Sequence, residues 1–163
     1  SNPDTLKLFI TWTFGSLSAV DWSYMLIMAP VIALGILIAL LLQKELNIFL
    51  LGQNYASGLG VSVSRLRLLV IFATALLAGT STAFTGPIAF IGITMPPIAR
   101  GLFRTSNHAI ILPASMLCGA VTLLICDLIS QLPGTQSTLP INAVTALFGA
   151  PVIVWIIARN KSL

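Results

Sequence analysis

Apolar residues fill five stretches of this chain, and polar or charged residues collect between them. The first, 22–42 (WSYMLIMAPVIALGILIALLL), holds no charge, and Pro30 near its middle predicts a kink. The second is 68–83. The third, 88–102, follows a turn at Gly86 and Pro87 and runs past Gly92 and the pair Pro96 and Pro97. The fourth is 109–129, and the fifth, 141–158, is interrupted by Gly149 and Pro151. A helix of ~20 residues crosses the ~30 Å hydrocarbon core of a bilayer. The pattern therefore predicts an all-α fold: one polytopic transmembrane helical bundle over 1–163, of about five spans.

The third stretch is the shortest, ~22 Å as a helix, so it is open to a re-entrant reading as well as a spanning one. Charge arbitrates. If it spans, Lys44, Arg65, Arg67, Arg100, Arg104, Arg159 and Lys161 fall on one face and only Lys7 lies opposite. If it does not, Arg100, Arg104, Arg159 and Lys161 move across. Cytoplasmic loops are the ones enriched in Lys and Arg, which favours spanning and makes Arg100 and Arg104 cytoplasmic anchors.

The polar stretches differ in character. Residues 1–21, with Trp12, Gly15 and Ser16 and with Trp22 just beyond, read as a partly helical segment on the external membrane surface. Residues 43–67 carry Lys44, Glu45, Arg65 and Arg67 and glycines at 52, 58 and 60. They are too long for a simple connection and predict one or two short amphipathic helices broken by glycine. Ile48, Leu50, Leu51 and Tyr55 then face either a partner or the membrane, the second case being a passive interfacial helix. Residues 130–140 form a polar outer loop. Asp127, near the outer end of the fourth stretch, is a functional candidate as an acid at membrane depth, or else a carboxylate near the interface capped by a neighbouring loop. Small residues at Ala75, Ala78, Gly79, Gly119 and Ala120 suit close helix packing.

Composition narrows the function. Of 163 residues, 57% are hydrophobic and 7% charged, against roughly a quarter charged in soluble domains. The net charge of +4 does not point to nucleic acid, because the basic residues form no continuous stripe. Cys118 and Cys126 lie about 12 Å apart along one predicted helix and cannot pair. His108 has no nearby Cys or carboxylate to share a metal. No phosphate-binding glycine loop, zinc-protease helix or nucleophile–base set is present. The chain is thus expected to be no enzyme, to hold no cofactor and to have no ATP site of its own. An external start, no visible signal peptide in SNPDTLKLF and an odd number of spans lead to the expectation that this is the C-terminal part of a larger permease.

Several blocks in series then carry a resemblance. LGQNYASGLGV (51–61), GPIAFIGITMPPIARGLF (86–103), LPASMLCGAVTLLICDLIS (112–130) and LPINAVTALFGAPVIVWIIAR (139–159), with His108 between the second and third, are similar to motifs of the iron-siderophore, haem and cobalamin (FecCD-type) permease family of ABC importers. The leader, with Trp12, Gly15, Ser16 and Trp22, fits its W-x-x-G-S-L segment. The resemblance covers nearly the whole chain and corresponds to the C-terminal half of a ten-span permease, without the family's fifth, path-lining helix. It implies alternating access in a permease homo- or heterodimer in the bacterial cytoplasmic membrane. A periplasmic or lipid-anchored binding protein delivers substrate, and separate cytoplasmic ABC ATPase subunits use the ATP. It also implies that 43–67 is the ATPase-coupling loop, with Leu51, Gly52, Ala56 and Gly60 at matching positions. Asn142, Thr145, Gly149 and Pro151 belong to the last helix, near the dimer axis and pathway. Pro97 stands where the family usually has histidine, so that role is not carried over. Gln53 and Asn54 replace acidic residues. Asn142 replaces a common glycine; its N-A-V-T context points to a ferric siderophore as substrate, with haem or cobalamin, or a non-transporting assembly module, as the alternatives.

Overall fold

A backbone without water around it must satisfy its N–H and C=O groups internally, and each apolar stretch does so by coiling into a helix. The computed structural model describes residues 3–15, 17, 20–131 and 140–160. Its helices are α1 (Pro3–Thr13), α2 (Trp22–Leu41), α3 (Gln43–Phe49), α4 (Gln53–Gly58), α5 (Val63–Thr85), α6 (Ile91–Phe103), α7 (His108–Gln131) and α8 (Ile141–Asn160). No strand occurs among the described residues. The Ser16 of the leader motif, most of the 130–140 loop and Lys161 lie outside the described residues, as does the side chain of Arg159.

The helix ends follow local chemistry. The Asp21 carboxylate accepts a 2.8 Å hydrogen bond from the Trp22 N–H at the start of α2, satisfying one orphan donor of the first turn. Residues 43–67 fold as two short helices and the start of a third. The difference from expectation is at Val63, where α5 begins, so Arg65 and Arg67 are helical. Arg and Leu both favour helix, and charges in the first turns can project past the apolar part. Likewise Ser130 and Gln131 extend α7 rather than beginning a loop.

α2, α5 and α7 are long and apolar enough to cross a membrane, and the apolar part of α8, Ile141–Ile156, is shorter. α6 has 13 residues, about 20 Å, after a non-helical stretch at 86–90. It nevertheless runs between the two ends of the bundle. Ala89, before its start, bonds to Asn142 at the head of α8. Asn107, after its end, bonds to Asn47 of α3. Arg100 and Arg104 therefore lie at the same end as Lys44 and α4.

Two packed groups result. α2 lies along α5, while α6, α7 and α8 pack together, with α3 resting on α7. In the first group α2 approaches α5 closely at Gly35, where an added Cβ would stand 2.8 Å from the Leu77 Cγ of α5. The small residues expected to serve this role, Ala75, Ala78 and Gly79, are exposed instead, whereas Gly119 does pack, at the α6–α7 contact beside Met95.

Gly35→Val should destabilise the protein by about 1–3 kcal/mol through overpacking, read as a lower unfolding temperature in detergent. Gly79→Val, where a Cβ meets nothing within 4 Å, should change it far less.

Candidate functional site

α4 is a single turn and a half whose shape rests on its two flanking glycines. Gly52 precedes it at φ 105° and Gly60 follows it at φ 86°, a region that costs L side chains about 1–2 kcal/mol. Neither has anything within 4 Å of a built Cβ, so backbone conformation rather than crowding demands glycine there. At the C-terminus the Gly60 N–H donates to the Ser57 carbonyl at 3.1 Å and the Val61 N–H to the Ala56 carbonyl at 3.0 Å. That double bond pattern with glycine in the left-handed position is a Schellman cap. Ala56 is 0% exposed, on the face that α4 turns towards α3 and α5. Its small size serves the fold, not an outward contact. What α4 and its flanks present outward is Leu51, Tyr55 and Leu59, at 64%, 61% and 58% exposure.

The opposite end is built around Asn142. Its Oδ1 accepts from the Ala89 N–H at 3.0 Å. Its Nδ2 donates to the Pro87 carbonyl at 2.6 Å and the Thr13 carbonyl at 3.2 Å. One amide thus joins α8, the break before α6 and the end of α1. The next turns of α8 hold Thr145, 1% exposed, and the buried Gly149. A Cβ on Gly149 would collide with the Phe90 side chain. Phe90 itself sits at φ 70°, and its carbonyl accepts from the Thr94 N–H and Thr94 Oγ1, both at 3.0 Å. Pro151 is exposed.

Thr145 and Gly149 border a cavity of about 270 Å³ between α6, α7 and α8, with Thr94, Met95, Thr122 and Cys126 on its other walls. Its hydroxyls donate to carbonyls of their own helices: Thr94 to Phe90, Thr122 to Cys118 at 2.7 Å, Thr145 to Asn142 at 3.2 Å. No charged side chain lines it. Such a wall suits an apolar group, not an ion.

The remaining candidates separate. Asp127 is not on that wall. Its Oδ2 accepts a 2.6 Å hydrogen bond from Gln131 Nε2 one turn on, so α7 caps it locally. Arg100 and Arg104 are exposed at the end of α6, where cations complement the helix dipole. Two residues that the sequence reading passed over emerge here. Asn47 of α3 donates to Asn107 Oδ1 at 2.7 Å. Asn47 Oδ1 accepts from the His108 N–H at 2.7 Å and lies 2.9 Å from His108 Nδ1. Asn107 caps α7 by accepting from the Ala109 N–H at 2.9 Å. An Asn directly before an apolar run is an N-cap signal; nothing local marks Asn47.

Comparison with known proteins bears on this geometry. Residues 1–159 match the FecCD transport family. The chain belongs to that family. It is 37% identical over 156 residues to the vitamin B12 import system permease protein BtuC of Vibrio cholerae, covering 95% of this chain and 46% of that one. It is 33% identical over 161 residues to the Fe(3+) dicitrate transport system permease protein FecD of Escherichia coli, covering 99% and 50%. A solved inward-facing structure of a metal-chelate type ABC transporter superposes with a TM-score of 0.88 at 31% identity, covering 98% of this chain and 51% of the other. The chain thus spans about half the length of the relatives it matches.

A residue without a polar side chain at position 142 would leave the break before α6 without these bonds. Asn142→Leu should therefore cost about 1–3 kcal/mol from unpaired groups, measured as lost thermal stability of the full-length protein; Asn142→Asp, which keeps the acceptor for Ala89 but turns a carboxylate oxygen on the Pro87 and Thr13 carbonyls, should lose as much.

Proposed function

We propose that this chain is the C-terminal half of a permease subunit of an ABC importer in the bacterial cytoplasmic membrane, carrying an iron chelate, above all a ferric siderophore. The carrying observation is the α4 end. A short helix, held by two glycine-dependent turns, presents Leu51, Tyr55 and Leu59 outward beside the basic residues of the bundle. A rigid, protruding apolar knob on the positively charged face is what a cytoplasmic ATPase groove would grip. In this reading 43–67 is the coupling loop and Gly52, Ala56 and Gly60 build the shape while Leu51 and its exposed neighbours make the contact. Asn142, Thr145, Gly149 and Pro151 lie on the helix nearest the pathway and the second permease subunit. A periplasmic or lipid-anchored protein supplies the chelate, and ATP is used only by the ATPase.

The preference for a ferric siderophore rests on the N-A-V-T segment at 142–145 and on likeness to a ferric dicitrate permease. Cobalamin is the second reading, supported by likeness to vitamin B12 permeases, and haem belongs with it.

Tyr55→Asp and Leu59→Asp in the full-length protein should reduce co-purifying ATPase by roughly 30-fold, the scale of losing a buried aromatic anchor, without lowering the unfolding temperature. Undiminished ATPase recovery would leave α4 as a passive interfacial helix. ATP-dependent uptake of radiolabelled ferric hydroxamate or catecholate by the full system, compared with labelled cobalamin and haem, decides the cargo.

A further inference from the structure

The two helix groups need a mechanical link if movement of α4 is to reach the cavity between α6, α7 and α8. α4 is continuous through α3 with α2, and through 59–62 with α5, both in the other group. α2 itself touches α7 only lightly, while α3 rests on α7. At that contact the amide of Asn47 engages the first turn of α7 on both sides: its oxygen takes the His108 N–H and its nitrogen binds the capping oxygen of Asn107.

We infer that Asn47 is a positioning residue that transmits displacement of the α3–α4 segment to α7. This rests on the coupling-loop reading above. The physical reason is the set of donors involved. The first N–H groups of a helix have no partners within it, and here Asn47 and Asn107 satisfy those of His108 and Ala109. If α3 moved alone, α7 would lose an N-terminal hydrogen bond and Asn107 would lose its orienting donor. Moving α7 with α3 keeps all of them. Asn47 Oδ1 can only accept, so its contact with the half-buried His108 ring calls for the Nδ1–H tautomer, adding a third bond to the tie. α7 carries Thr122 and Cys126 on the cavity wall, so a shift at its first turn changes that wall.

The test uses the full-length permease with its ATPase and binding protein in liposomes, reading bound ATPase, ATP hydrolysis and chelate uptake separately. Asn47→Leu, which keeps size and removes every bond, should bind ATPase normally while uptake per ATP hydrolysed falls about tenfold or more. Asn47→Asp, which still accepts from the His108 N–H but sets a carboxylate oxygen against Asn107 Oδ1, should retain part of the coupling. Unchanged uptake per ATP in Asn47→Leu, or equal loss in both variants, overturns the inference. Should the Leu variant not assemble, Asn47→Cys with Asn107→Cys, in a background lacking Cys118 and Cys126, is joined by a short reversible thiol cross-linker. Uptake that persists when joined supports a tie that moves as one body. Uptake that stops and returns on reduction overturns it. Absence of ATP-driven uptake in the unaltered protein would instead sink the importer reading itself.

Discussion

The structure depends on one constraint: backbone groups freed by a break in a helix need hydrogen-bond partners, and at its main breaks side-chain amides supply them. The sharpest break is at 86–90, where α5 has ended and α6 has not begun. Asn142 closes it by giving and accepting hydrogen bonds to Pro87 and Ala89, and it reaches the end of α1 through Thr13. A short side chain with both a donor and an acceptor does there what water does around a surface loop. The break in turn allows α6 to be short, with Phe90 turned against Gly149 and Thr94 bonded back onto the Phe90 carbonyl.

A second amide performs the matching service at the other end. Asn47 and Asn107 satisfy the exposed donors at the start of α7 and in doing so attach α3 to it. The bundle is therefore two side-by-side groups whose internal contacts are apolar and whose terminal connections are polar. Apolar contacts between helices are non-directional and tolerate small slips, whereas hydrogen bonds to a helix terminus do not. The exposed faces of α2, α5, α7 and α8 remain apolar, which fits lipid or neighbouring helices as their surroundings.

Family membership and geometry meet at α4. The glycines and alanine around α4 have separate physical duties. Gly52 and Gly60 supply left-handed backbone, and Ala56 is small because it is buried. The motif is thus legible as a prescription for shape, and the residues that meet the outside, Tyr55 and Leu59, stand between its fixed points. Asp127, by contrast, lies away from that motif, and its Oδ2 is bonded within α7 by Gln131.

The sequence by itself determined the class of structure, the order of its apolar helices, the side that carries the basic residues and the family. All of these follow from local composition and period: uncharged runs must coil, glycine pairs mark turns, and Lys and Arg concentrate at one end. It also predicts one or two short helices within 43–67, because glycines at 52, 58 and 60 interrupt an amphipathic stretch. Only the tertiary structure decided the rest. It assigned Asn142 to three segments far apart in sequence, set Gly149 against Phe90 and Gly35 against Leu77, and brought Asn47 to the start of α7, 60 residues away from Asn107. A side-chain amide looks the same in sequence whether it faces solvent or closes a break. Its role is a property of which backbone groups stand within hydrogen-bond reach, and that is settled when the helices pack.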